Sequence, residues 1–224
     1  MVLPELFHDP MSPFCRKVRV VLDELGVRFS LTRENVALER EEFLALNPAG
    51  EVPVLVDGDG SALADSQAIV EYLQDIHKEP DLLGESPAQR AETRRLVAWF
   101  DRKMYREVTL LIIEEKIHKW RQKRGKPDSA VLAAARGRLR LHLNYMERLL
   151  ATRFWLAGER FSLADIAAAS QISCIDYVGD IPWSSSRATR EWYARIKSRP
   201  SFRPILHDRL AGMPPDDHYA DPDF

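Results

Sequence analysis

The chain has 224 residues, of which 45% are hydrophobic and 29% charged. This composition is ordinary for a globular protein and excludes a disordered, collagen-like or low-complexity chain. No stretch approaches the ~18 apolar residues of a membrane span, and the N-terminus lacks the basic and apolar regions of a signal peptide. The two cysteines, Cys15 and Cys174, lie in unrelated contexts, which fits a reducing compartment. We therefore expect a cytoplasmic protein without membrane spans.

The net charge of −2 hides a strong asymmetry along the chain. Residues 1–78 hold 7 basic and 14 acidic residues, whereas residues 89–211 hold 25 basic and 13 acidic ones. The final segment, 212–224, has four aspartates and no base. A basic half of this kind indicates either an anionic ligand or partner, or attraction between the two halves or to a sister subunit.

Hydrophobic periodicity predicts an α/β domain over residues 1–78. Strands are expected at 3–8, 29–35, 54–56 and 61–63, and helices at 14–25, 39–46 and 66–76. Gly26 ends the first helix, and the run Asp57-Gly58-Asp59-Gly60 predicts a hairpin turn. The expected order is therefore βαβ, then α, then ββα.

The segment 79–88 contains two prolines and a glycine, and we expect the domain linker there. After it the strand pattern stops. Helices are expected at about 89–119, 129–151, 162–178, 186–198 and 201–211. The chain is thus predicted to be an α/β domain followed by an all-helical domain over 89–211 and an acidic tail over 212–224.

Three short segments of the first domain could carry chemistry. Ser12 lies between a strand and a helix, where free N–H groups and the helix dipole favour an anion such as a thiolate; alternatively it is only an N-cap. Val52-Pro53 opens a strand, and its peptide bond could be cis. Asp65-Ser66 precedes the third helix, either as a capping pair or as two polar groups for a ligand's amine and carboxylate.

Together these segments resemble those of the glutathione transferase superfamily. A Ser-Pro-Phe motif at 12–14 opens the first helix, Asn-Pro-Ala-Gly-Glu-Val-Pro-Val-Leu occupies 47–55, and an Asp-Ser pair stands at 65–66. In the second half, 161–166 resembles the family's buried helix with its Ser-x-x-Asp capping box, and 192–202 its late helices. The resemblance covers residues 3–211 and implies a thioredoxin-like N-terminal domain, an all-helical C-terminal domain and a symmetric homodimer.

The resemblance also implies a site for glutathione, the co-substrate, on the N-terminal domain. Ser12 would donate a hydrogen bond to the glutathione sulfur and act as the catalytic residue. The Val52 backbone would pair with the cysteinyl part as an added strand does, and Asp65 with Ser66 would hold the γ-glutamyl end. The activated thiolate would then attack a hydrophobic electrophile. The implied glutathione-binding residues are Phe14, Glu51, Val52, Pro53, Asp65 and Ser66.

Two departures from the family pattern indicate weak glutathione binding. Many relatives place Lys, Arg or Gln at the position of Glu51, which faces the glycine carboxylate of glutathione. A glutamate there would face a like charge. Asp65 also replaces the commoner Glu and is one methylene shorter.

Other chemistry has less support in the sequence. Cys15 matches the second cysteine of thioredoxin-like Cys-x-x-Cys motifs, whereas the nucleophile is the first, so a redox role is the less favoured alternative. Cys174 lies in an apolar run and is expected in the core. The six histidines show no metal-ligand spacing, and we expect no metal site.

A run of bases in the second domain is a candidate partner surface. No nucleic-acid reading motif accompanies it, so we expect an acidic protein partner or an anionic substrate rather than nucleic acid; alternatively the run is a solvated helix end. Its bases are Lys116, Lys119, Arg121, Lys123, Arg124 and Lys126.

The last seven residues, 218–224, place two aromatic residues among aspartates without an evident reason to be in the core, and such a tail could be disordered. The tail also resembles the ending of a group of bacterial glutathione-transferase-like proteins that bind the tubulin-like division protein FtsZ without transferase chemistry. Two functions therefore remain open: a glutathione transferase acting through Ser12, and a non-catalytic FtsZ-binding scaffold on the same fold.

Overall fold

The computed structural model describes residues 2–222. Two compact units divide the chain between Leu82 and Leu83, within the segment 79–88. The first unit is α/β and the second is helical, so the expected fold class is confirmed. The elements of the first unit are β1 Glu5–His8, α1 Pro13–Glu24, β2 Ser30–Arg33, a 3-10 turn Val36–Leu38, α2 Glu41–Leu46, β3 Val54–Val56, β4 Ala62–Ala64 and α3 Ser66–Ile76.

The four strands form one mixed sheet in the order β2-β1-β3-β4. Strand β1 runs parallel to β2 and antiparallel to β3, and β3 runs antiparallel to β4. The register pairs Phe7 with Val54, and Val54 with Ala64. The end of β1, the start of β3 and the end of β4 therefore lie side by side at one edge of the sheet.

Helix α1 is more deeply buried than its amphipathic pattern suggests. Arg16 and Lys17, expected off the apolar face, are both completely buried. The Arg16 guanidinium donates to the Pro10 carbonyl at 2.7 Å and contacts the Met11 sulfur at 3.2 Å. Lys17 reaches Gln67 of α3 at 3.4 Å. Because a buried cation needs nearby acceptors, Arg16 fastens the loop before Ser12 to the helix that follows it.

The second unit contains helices and two isolated β-bridges within the described residues. From 87 to 121 helical segments follow one another without a break, although two of them are π-helical, and α8 is buried along its whole length, Cys174 included. The elements are α4 Pro87–Ala98, π-helical Trp99–Thr109, α5 Leu110–Ile113, π-helical Glu114–His118, α6 Lys119–Arg121, α7 Ser129–Leu150, α8 Leu163–Tyr177, a 3-10 turn Trp183–Ser185, α9 Arg187–Lys197 and α10 Arg203–Leu206.

A buried carboxylate, that of Asp165, organises this unit. It accepts hydrogen bonds from the Leu156 amide at 2.9 Å, the Ser162 amide and hydroxyl at 3.0 Å each, and the Trp192 indole at 2.9 Å. The expected Ser-x-x-Asp capping box is therefore present. Burial raises the pKa of Asp165 to about 6 although the donors lower it. One side chain thus joins the loop before α8, the start of α8 and helix α9.

The predicted extent of the last helix, 201–211, is wrong, because α10 covers only Arg203–Leu206. Beyond it, Arg209 donates a side-chain hydrogen bond to the Leu206 carbonyl at 2.8 Å, and the Leu210 amide donates to the Tyr177 hydroxyl at 2.9 Å. The Leu206 carbonyl and the Leu210 amide thus have hydrogen-bond partners outside a helix. The helix can therefore end without leaving these two backbone groups unsatisfied.

The alternative of a disordered tail is also wrong for the described part. Tyr219 is completely buried, stacks edge-on against Tyr177 at 5.1 Å and donates to the Ile205 carbonyl at 3.2 Å. Asp223 and Phe224 lie outside the described residues. Tyr219 therefore anchors the tail in the core of the helical unit, whereas the other described tail residues are exposed or half-buried.

A charge cluster fastens the tail. The fully buried Asp176 carboxylate contacts His218 Nε2 at 2.7 Å and Lys197 Nζ at 3.4 Å. His218 Nδ1 lies 2.5 Å from the Asp216 carboxylate, and Lys197 Nζ donates to the carbonyls of His218 and Asp221 at 3.1 Å. Both ring nitrogens of His218 thus lie beside carboxylates, an arrangement that favours the protonated imidazolium; the Trp183 indole also lies 3.2 Å from Nε2.

Replacing Asp165 should destabilise the protein strongly. Asp165→Ala leaves buried amide and indole donors without an acceptor, and each such group costs about 1–3 kcal/mol. We expect a loss of about 3 kcal/mol or more, which for a chain of this length lowers Tm by roughly 6–12 °C. Calorimetry on Asp165→Ala, with the exposed Asp217→Ala as control, measures it, and equal Tm values for the two variants would contradict the role of Asp165.

The contribution of His218 should depend on pH. The hydrogen bond to Asp176 raises the pKa of His218 above its ordinary value. Its stabilisation is therefore complete below about pH 6.5, the unfolded value, and is lost as pH rises through the folded pKa. We expect the Tm difference between wild type and His218→Ala to be roughly twice as large at pH 6 as at pH 9.

The matched control is Tyr219→Phe, which removes the hydrogen bond to the Ile205 carbonyl. This substitution does not remove any group that titrates between pH 6 and 9. Its Tm difference from wild type should be the same at both pH values. A His218→Ala difference that is equally insensitive to pH would show that the imidazolium does not hold the tail.

Candidate functional site

Ser12 lies at the N-terminus of α1 and caps it. Its backbone is extended, Pro13 takes the first helical position, and Ser12 Oγ accepts the Cys15 amide hydrogen at 3.3 Å. The N-cap alternative is therefore present in the structure. Because a hydroxyl that accepts a hydrogen bond still has its own hydrogen to donate, capping leaves the half-buried Ser12 able to donate to an anion. Phe14 follows, half-buried, as the second residue of α1.

Cys15 is unsuited to thiolate chemistry. Its side chain is completely buried, and burial raises its pKa to about 12, although the Ser12 hydroxyl lowers it in part. A thiol with this pKa is protonated at neutral pH and is neither a nucleophile nor a redox centre. The structure therefore gives no support to the redox alternative.

The segment before β3 presents backbone rather than side chains. The Val52-Pro53 bond is cis, and Val52 stands outside the paired residues of the sheet, which begin at Val54. Asn47 shapes the preceding turn by donating to the Glu51 carbonyl at 2.8 Å. The Glu51 side chain is exposed. Val52 lies in a bend just before β3, and its backbone, which is outside the sheet pairing, can hydrogen-bond to a peptide-like ligand.

The start of α3 can hold an anion. Asp65 caps the helix by accepting from the amides of Gln67 at 2.7 Å and Ala68 at 3.1 Å. Its φ of +71° places a non-glycine residue in strained backbone, which persists only where the surroundings hold it and is frequent in ligand clamps. Ser66 is buried and is the first residue of the helix, where the dipole favours negative charge.

The sheet brings these segments to a common edge. Ser12 follows the end of β1, Val52 precedes the start of β3, and Asp65 follows the end of β4 directly. Since the register places those three strand ends side by side, a helix N-terminus with a hydroxyl, the backbone that precedes β3 and a second helix N-terminus lie at the same edge of the sheet. The arrangement offers hydrogen-bonding groups to an extended peptide, whereas Glu51 and Asp65 are themselves acidic.

The basic run is less uniform than its sequence suggests. Lys116 pairs with Asp180 at 2.8 Å and donates to the Val178 carbonyl at 3.0 Å. Lys119 pairs with Glu115, and Arg124 with Glu114, each at 2.5 Å. The remaining bases of the run, Arg121, Lys123 and Lys126, are exposed.

Asp180 is a site residue that the sequence analysis missed. It is buried and contacts two cations, Lys116 and Arg136, the latter at 2.6 Å. No spacing signal marked it, because its partners lie 44 and 64 positions earlier in the sequence. Among residues 2–222 the structure contains no group of three or more His, Cys, Asp or Glu side chains that could hold a metal ion, and no helix able to cross a membrane.

Family models match both parts of the chain. The model described as "Glutathione S-transferase, N-terminal domain" matches residues 6–81, and "Glutathione S-transferase, C-terminal domain" matches residues 129–195.

Curated relatives cover nearly the whole chain. FtsZ-localized protein A of Caulobacter vibrioides is 46% identical over 98% of this chain and 97% of its own length. Glutathione S-transferase 2 of Saccharomyces cerevisiae is 27% identical over 91% of this chain and 90% of its own, and glutathione S-transferase GstB of Escherichia coli is 28% identical over 85% and 91%.

Solved structures agree with this relationship. A glutathione S-transferase from Rhodospirillum rubrum F11 superimposes with a TM-score of 0.97, at 48% identity over 99% of this chain and 100% of that one. FzlA from C. crescentus also gives a TM-score of 0.97, at 46% identity over all of both chains. With both domain models matched and close relatives along its full length, the chain belongs to the glutathione S-transferase superfamily.

Proposed function

We propose that this protein is an FtsZ-associated scaffold of bacterial cell division, the second of the two functions left open by the sequence. The observation that carries the proposal is the 46% identity to FtsZ-localized protein A over 98% of the chain. Solved structures named as glutathione S-transferases, from Rhodospirillum rubrum and Sinorhizobium meliloti, reach 48% and 45%, whereas the curated transferases of yeast, maize and Escherichia coli reach only 27–30%. A fold shared at that lower level does not fix the activity.

The charge distribution supports an acidic protein partner. The helical part carries 25 basic and 13 acidic residues, and the exposed cations Lys123 and Lys126 have no ion-pair partner among the described residues. Polymers of FtsZ are acidic, and complementary charge speeds association with such a surface. The scaffold would act in the cytoplasm as a symmetric homodimer, the arrangement commonest for soluble oligomers.

A co-sedimentation experiment tests the scaffold. The purified protein should pellet with FtsZ polymers, and the bound fraction should fall as salt rises, because the screening length shortens from about 10 Å at 0.1 M to about 3 Å at 1 M. The Escherichia coli transferase GstB serves as a matched fold control that should remain in the supernatant. Absence of this protein from the pellet at every salt concentration would leave a small-molecule transferase as the better account.

Glutathione binding is a second candidate function, supported by the common edge of Ser12, Val52 and Asp65. There Ser12 would donate to the sulfur, the Val52 backbone beside Pro53 would pair with the cysteinyl part, and Asp65 with Ser66 would receive the γ-glutamyl end. Phe14 would border the sulfur position. These groups fit an anionic peptide, whereas Glu51 does not fit its glycine carboxylate, so binding should be weak.

Replacing Glu51 by lysine should strengthen glutathione binding. Removing a like charge and adding an opposite one is expected to lower Kd about tenfold or more, which corresponds to about 1.4 kcal/mol. Isothermal titration calorimetry of wild type and Glu51→Lys measures this difference. Glu39→Lys, an equal charge change at another exposed position, should leave Kd unchanged; wild-type binding as tight as that of Glu51→Lys would refute the electrostatic argument.

A further inference from the structure

A cleft of about 340 Å³ opens in the helical unit beside the tail. One wall comes from the basic run and the loop before α7, the second from the end of α8, and the third from the tail. The volume lies at the lower end of the range for ligand pockets, about 300–1,000 Å³. The lining residues are Lys116, Pro127, Tyr177, Val178, Met213, Pro214, Pro215 and Asp216.

The polar groups that line the cleft are already engaged. The Tyr177 hydroxyl donates to the Met213 carbonyl at 2.7 Å and accepts from the Leu210 amide. Lys116 uses donors on the Val178 carbonyl and on Asp180. Asp216 also lines the cleft and contacts His218. The other walls are proline, valine and methionine, so the interior of the cleft suits an apolar group.

Two cations lie close to the cleft wall along the chain: Lys126 immediately precedes Pro127, and the Lys123 amide donates to the Trp120 carbonyl at 3.2 Å. Both lysines are exposed and lack an ion-pair partner among the described residues, whereas four neighbouring carboxylates are each paired with a cation. The matched pairs are Glu114 with Arg124, Glu115 with Lys119, Asp180 with Lys116, and Asp216 with His218.

An exposed aromatic residue adjoins the same place. Trp120 is 41% exposed and lies against Gly212, where a Cβ atom would be only 3.1 Å from the indole ring. Gly212 has a φ of +78° and immediately precedes Met213 of the cleft wall. Tryptophan is enriched at the centres of protein interfaces, since it offers a large apolar area together with a donor.

We propose that this cleft binds an acidic peptide segment of a protein partner, with one apolar side chain of the segment inside the cleft and its carboxylates on Lys123 and Lys126. The proposal rests on the proposed function in that it assigns the contact with an FtsZ-type partner to this surface. The apolar walls accept the apolar side chain, and Lys126, which adjoins Pro127 of the wall, is exposed and can meet a carboxylate of the same segment.

Fluorescence anisotropy with a synthetic probe tests the proposal directly. The probe is a fluorescein-labelled peptide with one phenylalanine flanked on each side by aspartates. Its affinity should fall at least tenfold in the variant carrying Lys123→Glu and Lys126→Glu, and also in Val178→Glu, which puts a charge inside the cleft. The variant carrying Arg140→Glu and Arg203→Glu, with the same change of net charge at other exposed positions, should bind like wild type.

Exchange of the probe's phenylalanine for alanine should weaken binding at least tenfold, because the apolar contact is lost. Equal binding by the alanine probe, or equal loss in the Arg140/Arg203 control, would overturn the proposal in favour of nonspecific charge attraction. Since Lys123 and Lys126 are solvated and unpaired, their reversal should leave Tm unchanged, which keeps the test valid if Val178→Glu folds poorly.

Co-sedimentation of the same variants separates this proposal from the proposed function. FtsZ pelleting that is unaffected by Lys123→Glu and Lys126→Glu would overturn the cleft and leave the scaffold standing. A second outcome is that the variants weaken probe binding as expected but wild type does not pellet with FtsZ. This result would support the cleft as a site for acidic peptides and reject FtsZ as its partner.

Discussion

The helical unit depends on one buried carboxylate. Asp165 is completely buried and receives four hydrogen bonds from three parts of the chain: the Leu156 amide, Ser162 and the Trp192 indole. A buried carboxylate is stable only when its oxygens are satisfied. The loop before α8, the start of α8 and the middle of α9 must therefore keep their mutual positions, and the remaining helices pack around a fully buried α8.

The tail is built onto that frame by a second set of buried charges. Asp176, near the end of α8, meets Lys197 at the end of α9 and His218 of the tail. Tyr219 then enters the core beside Tyr177. The tail in turn supplies one wall of the apolar cleft. The tail, whose composition is acidic, thus contributes to the packing of the helical unit and forms part of the cleft surface.

The N-terminal unit shows how a fold can fix the positions of backbone groups while a nearby side-chain charge is free to vary. Sheet register alone brings Ser12, Val52 and Asp65 to one edge, and a stable fold keeps them there whether or not glutathione is used. The charge at position 51 is not fixed by the fold, because that side chain is exposed. Binding strength can therefore change by substitution at this edge without any cost to folding.

The sequence by itself determined the order of strands and helices, the position of the domain boundary region and the family. These features follow from local periodicity, from prolines and glycines, and from motifs such as the Ser-x-x-Asp box. Each of these signals depends only on residues that are close together in the sequence. It also located Ser12, Val52 and Asp65, whose roles as caps or strand starts are local as well.

Tertiary structure decided what depends on partners distant in sequence. Arg16 and Lys17 are charged, yet nearby carbonyl, sulfur and amide acceptors allow them to be buried. Three bases of the run form ion pairs with acidic side chains: Lys116 with Asp180, Lys119 with Glu115, and Arg124 with Glu114. The last helix is short because the Leu210 amide beyond it donates to the Tyr177 hydroxyl. Tyr219 is buried because its ring packs against Tyr177 and Lys197 binds the backbone carbonyls on either side of it. Composition records charge and hydrophobicity one residue at a time, whereas burial of a charge or exposure of a base depends on which groups the fold brings beside it.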